Sequence, residues 1–162
     1  MKKLFFFLIV LTIPSFAFSQ SNNWSTIESK YSAGPISPEF QYNYSIVINK
    51  DRTGMLIFTK GGKTDEYNFK ISNKGKKMLN NALFTSRVFS VSTDNMKAGS
   101  NLIGGPEKSI NITMWQAADL DQKPTVIVVP GMVNAEYENG IENLYTTIEK
   151  LVPNSVWKKA GF

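Results

Sequence analysis

The chain has 162 residues, with 18 Lys and Arg against 13 Asp and Glu and a formal charge of +5. It contains neither histidine nor cysteine. That composition excludes a Ser-His-Asp triad, a thiol nucleophile, an ordinary zinc site and any disulfide.

The chain opens with the three-part pattern of a secretory signal peptide. Lys2 and Lys3 supply the positive start, Leu4 to Ile13 an apolar run interrupted only by Thr12, and Pro14 a helix stop. Ala17-Phe18-Ser19 then places small residues where a signal peptidase reads them. The apolar run is about half of the roughly 20 residues that a membrane span needs. Residues 1–19 are therefore expected to be removed near Ser19-Gln20, which takes two lysines and lowers the charge to +3. The remainder has the size of one domain, expected in the periplasm or outside the cell, with no transmembrane segment in the mature chain. A mildly basic chain lacks the dense stripe of charge that nucleic acid calls for, so no nucleic-acid partner is expected.

Residues 20–39 read as a lead-in segment. Trp24, Ile27 and Tyr31 share one helical face, which allows a short helix there; Gly34-Pro35-Ile36-Ser37-Pro38 then breaks regular structure. From Phe40 to Ile48, apolar Phe40, Tyr42, Tyr44, Ile46 and Ile48 alternate with Gln41, Asn43, Ser45 and Val47, the period of a half-buried strand. A turn over Asn49 to Gly54, a strand from Met55 to Lys60, a turn at Gly61-Gly62 and an alternating strand through Tyr67, Phe69 and Ile71 complete an antiparallel meander.

Ser72 stands where a helix N-cap belongs, ahead of Gly75, Met78, Leu79, Ala82 and Leu83 at helical spacing. Val88 to Val91 reads as a short edge strand, and residues 92–108 as a long irregular stretch. Ile110, Ile112 and Met114 alternate as another strand. Val126 to Val129 is apolar on both faces, the pattern of a central strand. A last helix carries Ile141, Leu144, Tyr145, Ile148 and Leu151 and stops at Pro153. The order argues for an α+β fold: residues 40–162 form one domain, a single antiparallel sheet of about five or six strands with two helices packed on one face. The covered face should hold Tyr42, Tyr44, Ile46, Phe69, Ile71, Ile112 and Met114 beneath Leu79, Leu83, Leu144 and Ile148.

Several short motifs suggest chemistry that their context withdraws. Gly61-Gly62-Lys63-Thr64 looks like the end of a phosphate-binding loop, but the leading glycine is replaced by Ile57 and a strand follows where a helix is required. Ser155-Val156-Trp157-Lys158 matches Ser-x-x-Lys without its partner motifs. Asp119-Leu120-Asp121 offers two carboxylates but no complete calcium loop, and Asp is a common turn former. No metal and no cofactor is expected.

Three features are candidates for contact. Lys74 and Lys77, with Lys70 and Lys76, form a basic cluster at a helix start, where lysines oppose the helix dipole; a solvated helix face is the simpler reading. Gly104-Gly105-Pro106-Glu107 lies in the longest irregular stretch, and such loops are often functional; that the segment only routes the chain is the simpler reading. Trp115 falls by alternation on the polar face with Gln41, Asn43, Ser45, Asn68, Lys70, Asn111 and Thr113. Aromatics are enriched where partners meet, although packing on Val126 or Val128, or under the lead-in helix with Trp24 and Ile27, is the simpler reading for a large aromatic.

Through its signal peptide, its Gly-Pro-Ile-Ser-Pro-Glu-Phe-Gln-Tyr lead into a strand and its strand–helix order, the chain resembles small exported bacterial domains of unknown function. The resemblance implies no activity. The expected function is an exported, non-enzymatic domain that binds a protein or a cell-envelope ligand. The alternatives are a small envelope hydrolase working with carboxylates or Lys, and a structural subunit of an envelope assembly.

Overall fold

The computed structural model describes residues 23–37, 39–99, 105–114 and 123–162. The signal-peptide segment, Pro38, Gly104, Trp115 and the Asp119-Leu120-Asp121 turn lie outside the described residues. The fold is α+β. Six strands, β1 (Trp24–Ser32), β2 (Tyr42–Asn49), β3 (Thr53–Lys60), β4 (Lys63–Lys70), β5 (Glu107–Met114) and β6 (Val126–Pro130), form one antiparallel sheet in the order β4-β3-β2-β1-β5-β6. Four helices accompany it: α1 (Asn73–Thr85), the single turn α2 (Thr93–Met96), α3 (Ala135–Leu151) and α4 (Asn154–Ala160).

Alternation sets the faces. Tyr44, Ile46 and Ile48 of β2 are buried toward the helices, as are Leu56 and Phe58 of β3 and Ile110 and Ile112 of β5. Tyr42 and Phe69 are half-buried against the same core. The meander closes at Gly61 and Gly62, with φ of +58° and +77°. A type I′ two-residue hairpin turn needs positive φ at both central positions, which glycine adopts without strain.

The first helix begins as its sequence implies. The Ser72 side chain accepts a hydrogen bond from the Gly75 amide at 3.0 Å, satisfying one of the donors a helix start leaves open. Leu79, Ala82 and Leu83 of α1 and Ile141, Leu144, Tyr145 and Ile148 of α3 close over the sheet. Each fully buried Ile or Leu contributes about 1.5–3 kcal/mol relative to exposure. Glu136 and Glu138 in the first turn of α3 and Lys150 in its last turn complement the helix dipole.

Five expectations are corrected. Residues 24–32 form no helix: they are β1, hydrogen-bonded between β2 and β5 near the middle of the sheet. Its pairing with β5 slips between Trp24 and Thr26. That bulge turns an even strand spacing into a gap of three from Trp24 to Ile27, and with Tyr31 four further on the pattern imitates a helix. The sheet therefore takes in residues ahead of 40, and Phe40 lies outside β2 and is exposed. Val88–Val91 is not a strand but a pair of turns, with the Ser90 and Val91 amides both donating to the Arg87 carbonyl. β6 is an edge strand, not a central one: Val129 is buried under the helices while Val126 and Val128 stay exposed on the other face. Met78, expected on the buried side of α1, is exposed. Pro153 ends α3 but also opens α4, a helix too short to show a periodic signature.

Candidate functional site

The helix layer does not cover its side of the sheet evenly. Across the rows Ile112–Ile27–Ile48 and Ile110–Ser29–Ile46–Leu56 the side chains are buried. The next row is Lys108–Tyr31–Tyr44–Phe58, with Tyr42 beyond it on β2. Here the sheet extends past the end of α3, leaving an open cleft of about 510 Å³. Its floor is Tyr31, Tyr42, Tyr44 and Lys108; its walls are Thr146, Glu149 and Lys150 of α3, then Val152, Asn154, Trp157 and Phe162.

The floor is a stack of rings. Tyr31 faces Tyr44 across the strand pair, with centroids 4.9 Å apart and planes 11° apart. It also stacks on Tyr42 at 5.6 Å. Cross-strand aromatic pairs fix one another's orientation. Trp157 meets Tyr44 edge-on, and Phe162 meets Tyr42, Phe58 and Trp157 edge-on. The result is one contiguous aromatic cluster, built from three strands and the segment after α3.

Polar groups sit within it. The Tyr44 hydroxyl donates to Glu149 Oε1 at 2.7 Å. Burial, then the hydrogen bond and charge of Glu149, push the Tyr44 hydroxyl well above the usual phenol range; hydrogen bonding to Tyr31 and then burial raise that of Tyr42. Both remain neutral donors at any physiological pH. Lys108 lies 3.7 Å from Glu142 and 5.4 Å from the centre of the Tyr145 ring. The Trp157 indole N–H donates to the Glu149 carbonyl at 3.4 Å, tying the cleft wall to the end of α3.

A second hollow, of about 430 Å³, lies against the same strand segments. Polar side chains of the open face line it, among them Lys30, Asn43, Ser45, Thr59 and Glu107. Next to it, Glu28 accepts from Ser45 at 3.1 Å and Asn111 at 3.1 Å and pairs with Lys30 at 3.1 Å. Burial alone would raise the Glu28 carboxyl; the hydrogen bonds from Asn111, Lys30 and Ser45 outweigh it and hold the group below the usual glutamate value.

The residues singled out in the sequence do not converge. Glu107 lines the open-face hollow. Gly105 and Pro106 abut the other Gly-Pro segment: Gly34 has φ +77°, and a Cβ there would stand 2.5 Å from the Gly105 carbonyl oxygen. The two segments route the chain past each other at the Tyr42 end of β2, where Ala33 donates to the Tyr42 carbonyl. Lys74 and Lys77 are exposed on α1 at the opposite end of the sheet. Their neighbour Lys76 donates to the Lys50 carbonyl at 2.7 Å in the β2–β3 turn, a structural engagement. Trp115 and Gly104 are outside the described residues.

Sequence reasoning placed Tyr42 and Tyr44 on the covered face but missed the cleft. In the sequence Tyr31 reads as part of a helical face, and Trp157 as part of a Ser-x-x-Lys match. The alternation Ile27, Ser29, Tyr31 against Glu28 and Lys30 was the signal available. Among the described residues, no group of three or more acidic side chains is placed to hold a metal ion, and no helix is long and apolar enough to cross a membrane. No protein-family model matches the chain, and no curated protein matches it.

Proposed function

We propose that the chain is an exported domain that binds a cell-envelope ligand non-covalently, and that its site is the tyrosine cleft beside the end of α3. The observation that carries this reading is the stack of Tyr42, Tyr31 and Tyr44 with its Glu149 partner, in which Tyr31 and Tyr42 stay half-exposed in an open cleft. Ligand sites are typically concave, largely apolar and supplied with a few oriented polar groups, and this cleft has all three properties. Export rests on the signal-peptide pattern of residues 1–19; the resemblance to small exported bacterial domains rests on that pattern together with the Gly-Pro lead into a strand and the strand–helix order.

Binding is favoured over hydrolysis by the lining itself. Glycoside hydrolysis by paired carboxylates needs two of them facing one bond. Among the described residues Glu149 has the one side-chain carboxylate lining the cleft, and the Tyr44 hydroxyl already engages it.

The test is thermal denaturation of the mature chain in the presence of a fragment library. A ligand that binds only the folded state raises the melting temperature. Stabilising fragments should lose their effect in Tyr42→Ala and keep it in Thr59→Ala, on the other face. Stabilisation that survives Tyr42→Ala and disappears in Thr59→Ala would move the site to the open face. Intact mass of protein recovered from the cell envelope should correspond to a start at Gln20; a mass that still includes residues 1–19 would refute the cleavage.

A further inference from the structure

The chemistry of the cleft narrows its ligand, given that the cleft is the binding site. We infer that the ligand is a saccharide. A sugar ring alternates C–H surface, which carries slight positive charge, with hydroxyls that both donate and accept. The π-faces and edges of aromatic rings suit the first, and a mixed set of donors and acceptors suits the second.

The cleft supplies both in one place. Tyr31, Tyr42 and Trp157 are half-buried and Phe162 is exposed, so their rings remain available for contact. Phenol hydroxyls, which donate and accept, lie among them. Around the rim stand an acceptor carboxylate at Glu149, an amide at Asn154, a hydroxyl at Thr146 and the ammonium of Lys150. Thr146, Glu149 and Lys150 are spaced three and four residues apart, so they share one face of α3.

Two other ligand classes fit less well. A peptide bound by strand addition needs a free sheet edge, but β1 and β2 are paired on both sides. An acyl chain favours an enclosed apolar tunnel, whereas this cleft places a carboxylate and a phenol hydroxyl in its wall. A bound acyl chain would strip water from these groups and offer nothing to the oxygen positions left over from their shared hydrogen bond, at a cost in affinity.

The test is isothermal titration of the full mature chain with a tetramer of N-acetylglucosamine and, separately, with a trimer of galacturonate. A decyl-chain detergent below its micelle concentration and a mixed tetrapeptide pool serve as comparators. At least one saccharide should bind with a dissociation constant of about 1 mM or tighter. Tyr42→Ala should weaken it by about tenfold or more, as should Glu149→Gln for the neutral sugar, and Thr59→Ala by less than about twofold. Circular dichroism melts establish that each variant is folded; the Glu149→Gln change preserves shape if Tyr42→Ala does not fold. Binding of the neutral sugar or of the acidic one supports the inference and separates the two sugar classes. If both saccharides fail at about 10 mM while the detergent, the peptides or a library fragment bind at Tyr42, the saccharide inference falls and the cleft reading stands. If nothing binds there, both fall. Saccharide binding indifferent to both cleft variants also overturns the inference.

Discussion

The same three strands, on the same face, make two different surfaces. At the Trp24 end of β1 the side chains are aliphatic: Ile27, Ile48 and Ile112 are fully buried, and the Trp24 indole is closed off by a hydrogen bond to Asn80 at 3.1 Å. At the Ser32 end the corresponding positions are Tyr31, Tyr44 and Lys108, side chains with apolar bodies and polar tips. Aliphatic side chains have no use for water and gain by being sealed. Tyrosine and lysine can lie at a boundary, because their tips still find partners there. The contrast teaches that the change from isoleucine to tyrosine along β1 and β2 marks where the helix layer ends. On the proposed reading, stability belongs to one end of the sheet and contact to the other.

Substitutions should separate the two ends by size of effect. Ile46→Ala, fully buried in the core, should cost about 2–5 kcal/mol in urea or guanidinium unfolding. Tyr42→Ala, removing a half-buried ring from its stack, should cost about 1–2 kcal/mol. Equal losses would mean that the tyrosine end is core after all.

Two tyrosines sharpen the point at the level of one oxygen atom. Tyr44→Phe strips Glu149 of its hydrogen-bond donor and should cost about 1.5 kcal/mol, as hydrogen bonds to charged groups do. The hydroxyl of Tyr145, on the buried face of α3, has no hydrogen-bond partner among the described residues. Tyr145→Phe should therefore be neutral, or stabilising by up to about 1 kcal/mol, since an unpaired buried hydroxyl is unfavourable. A loss of about 1.5 kcal/mol or more in Tyr145→Phe would show that its hydroxyl does find a partner.

The open face behind both ends offers a smaller, pH-dependent effect. The Glu28 carboxyl sits below its ordinary value in the folded chain. Its contribution is therefore complete above the unfolded value, close to that of an ordinary glutamate, and is lost as pH falls through the lowered folded value. Stability of the native chain should decline in that acid window by up to about 1 kcal/mol more than that of Glu28→Gln. Identical acid limbs would remove Glu28 from the account. Smallest of all, Lys74→Ala and Lys77→Ala should shift stability by less than about 0.5 kcal/mol, as exposed positions away from special features do, and should leave ligand binding unchanged. Loss of binding in either would revive the lysine cluster as a site.

Much of the fold was legible because period-two alternation and a helix cap are local signals. β2, the Gly61-Gly62 hairpin, the Ser72 cap and the buried stripe of α3 are each written within about a dozen residues. The site was not, for three local reasons. A bulge beside Trp24 disguised β1 as a helix and removed Tyr31 from the strand it shares with its stacking partners. Apolar residues on both faces of β6 indicated a hydrophobic strand but carried no information about its neighbours, so an edge read as a centre. Trp157 and Phe162 reach the cleft only because α4 turns back over the sheet, where the Tyr67 hydroxyl donates to the Lys159 carbonyl at 3.1 Å. A seven-residue helix leaves little periodic trace of that return.

The most direct test of the division of labour is chemical-shift mapping by NMR. The mature chain, labelled at amides and aromatic carbons, would be titrated with the fragments that raise its melting temperature. We expect the perturbed signals to be those of Tyr31, Tyr42, Lys150, Trp157 and Phe162, with Ile27, Ile48 and Leu79 unmoved. Perturbations confined to Asn43, Thr59 and Glu107 on the open face, or to Lys74 and Lys77 on α1, would contradict it.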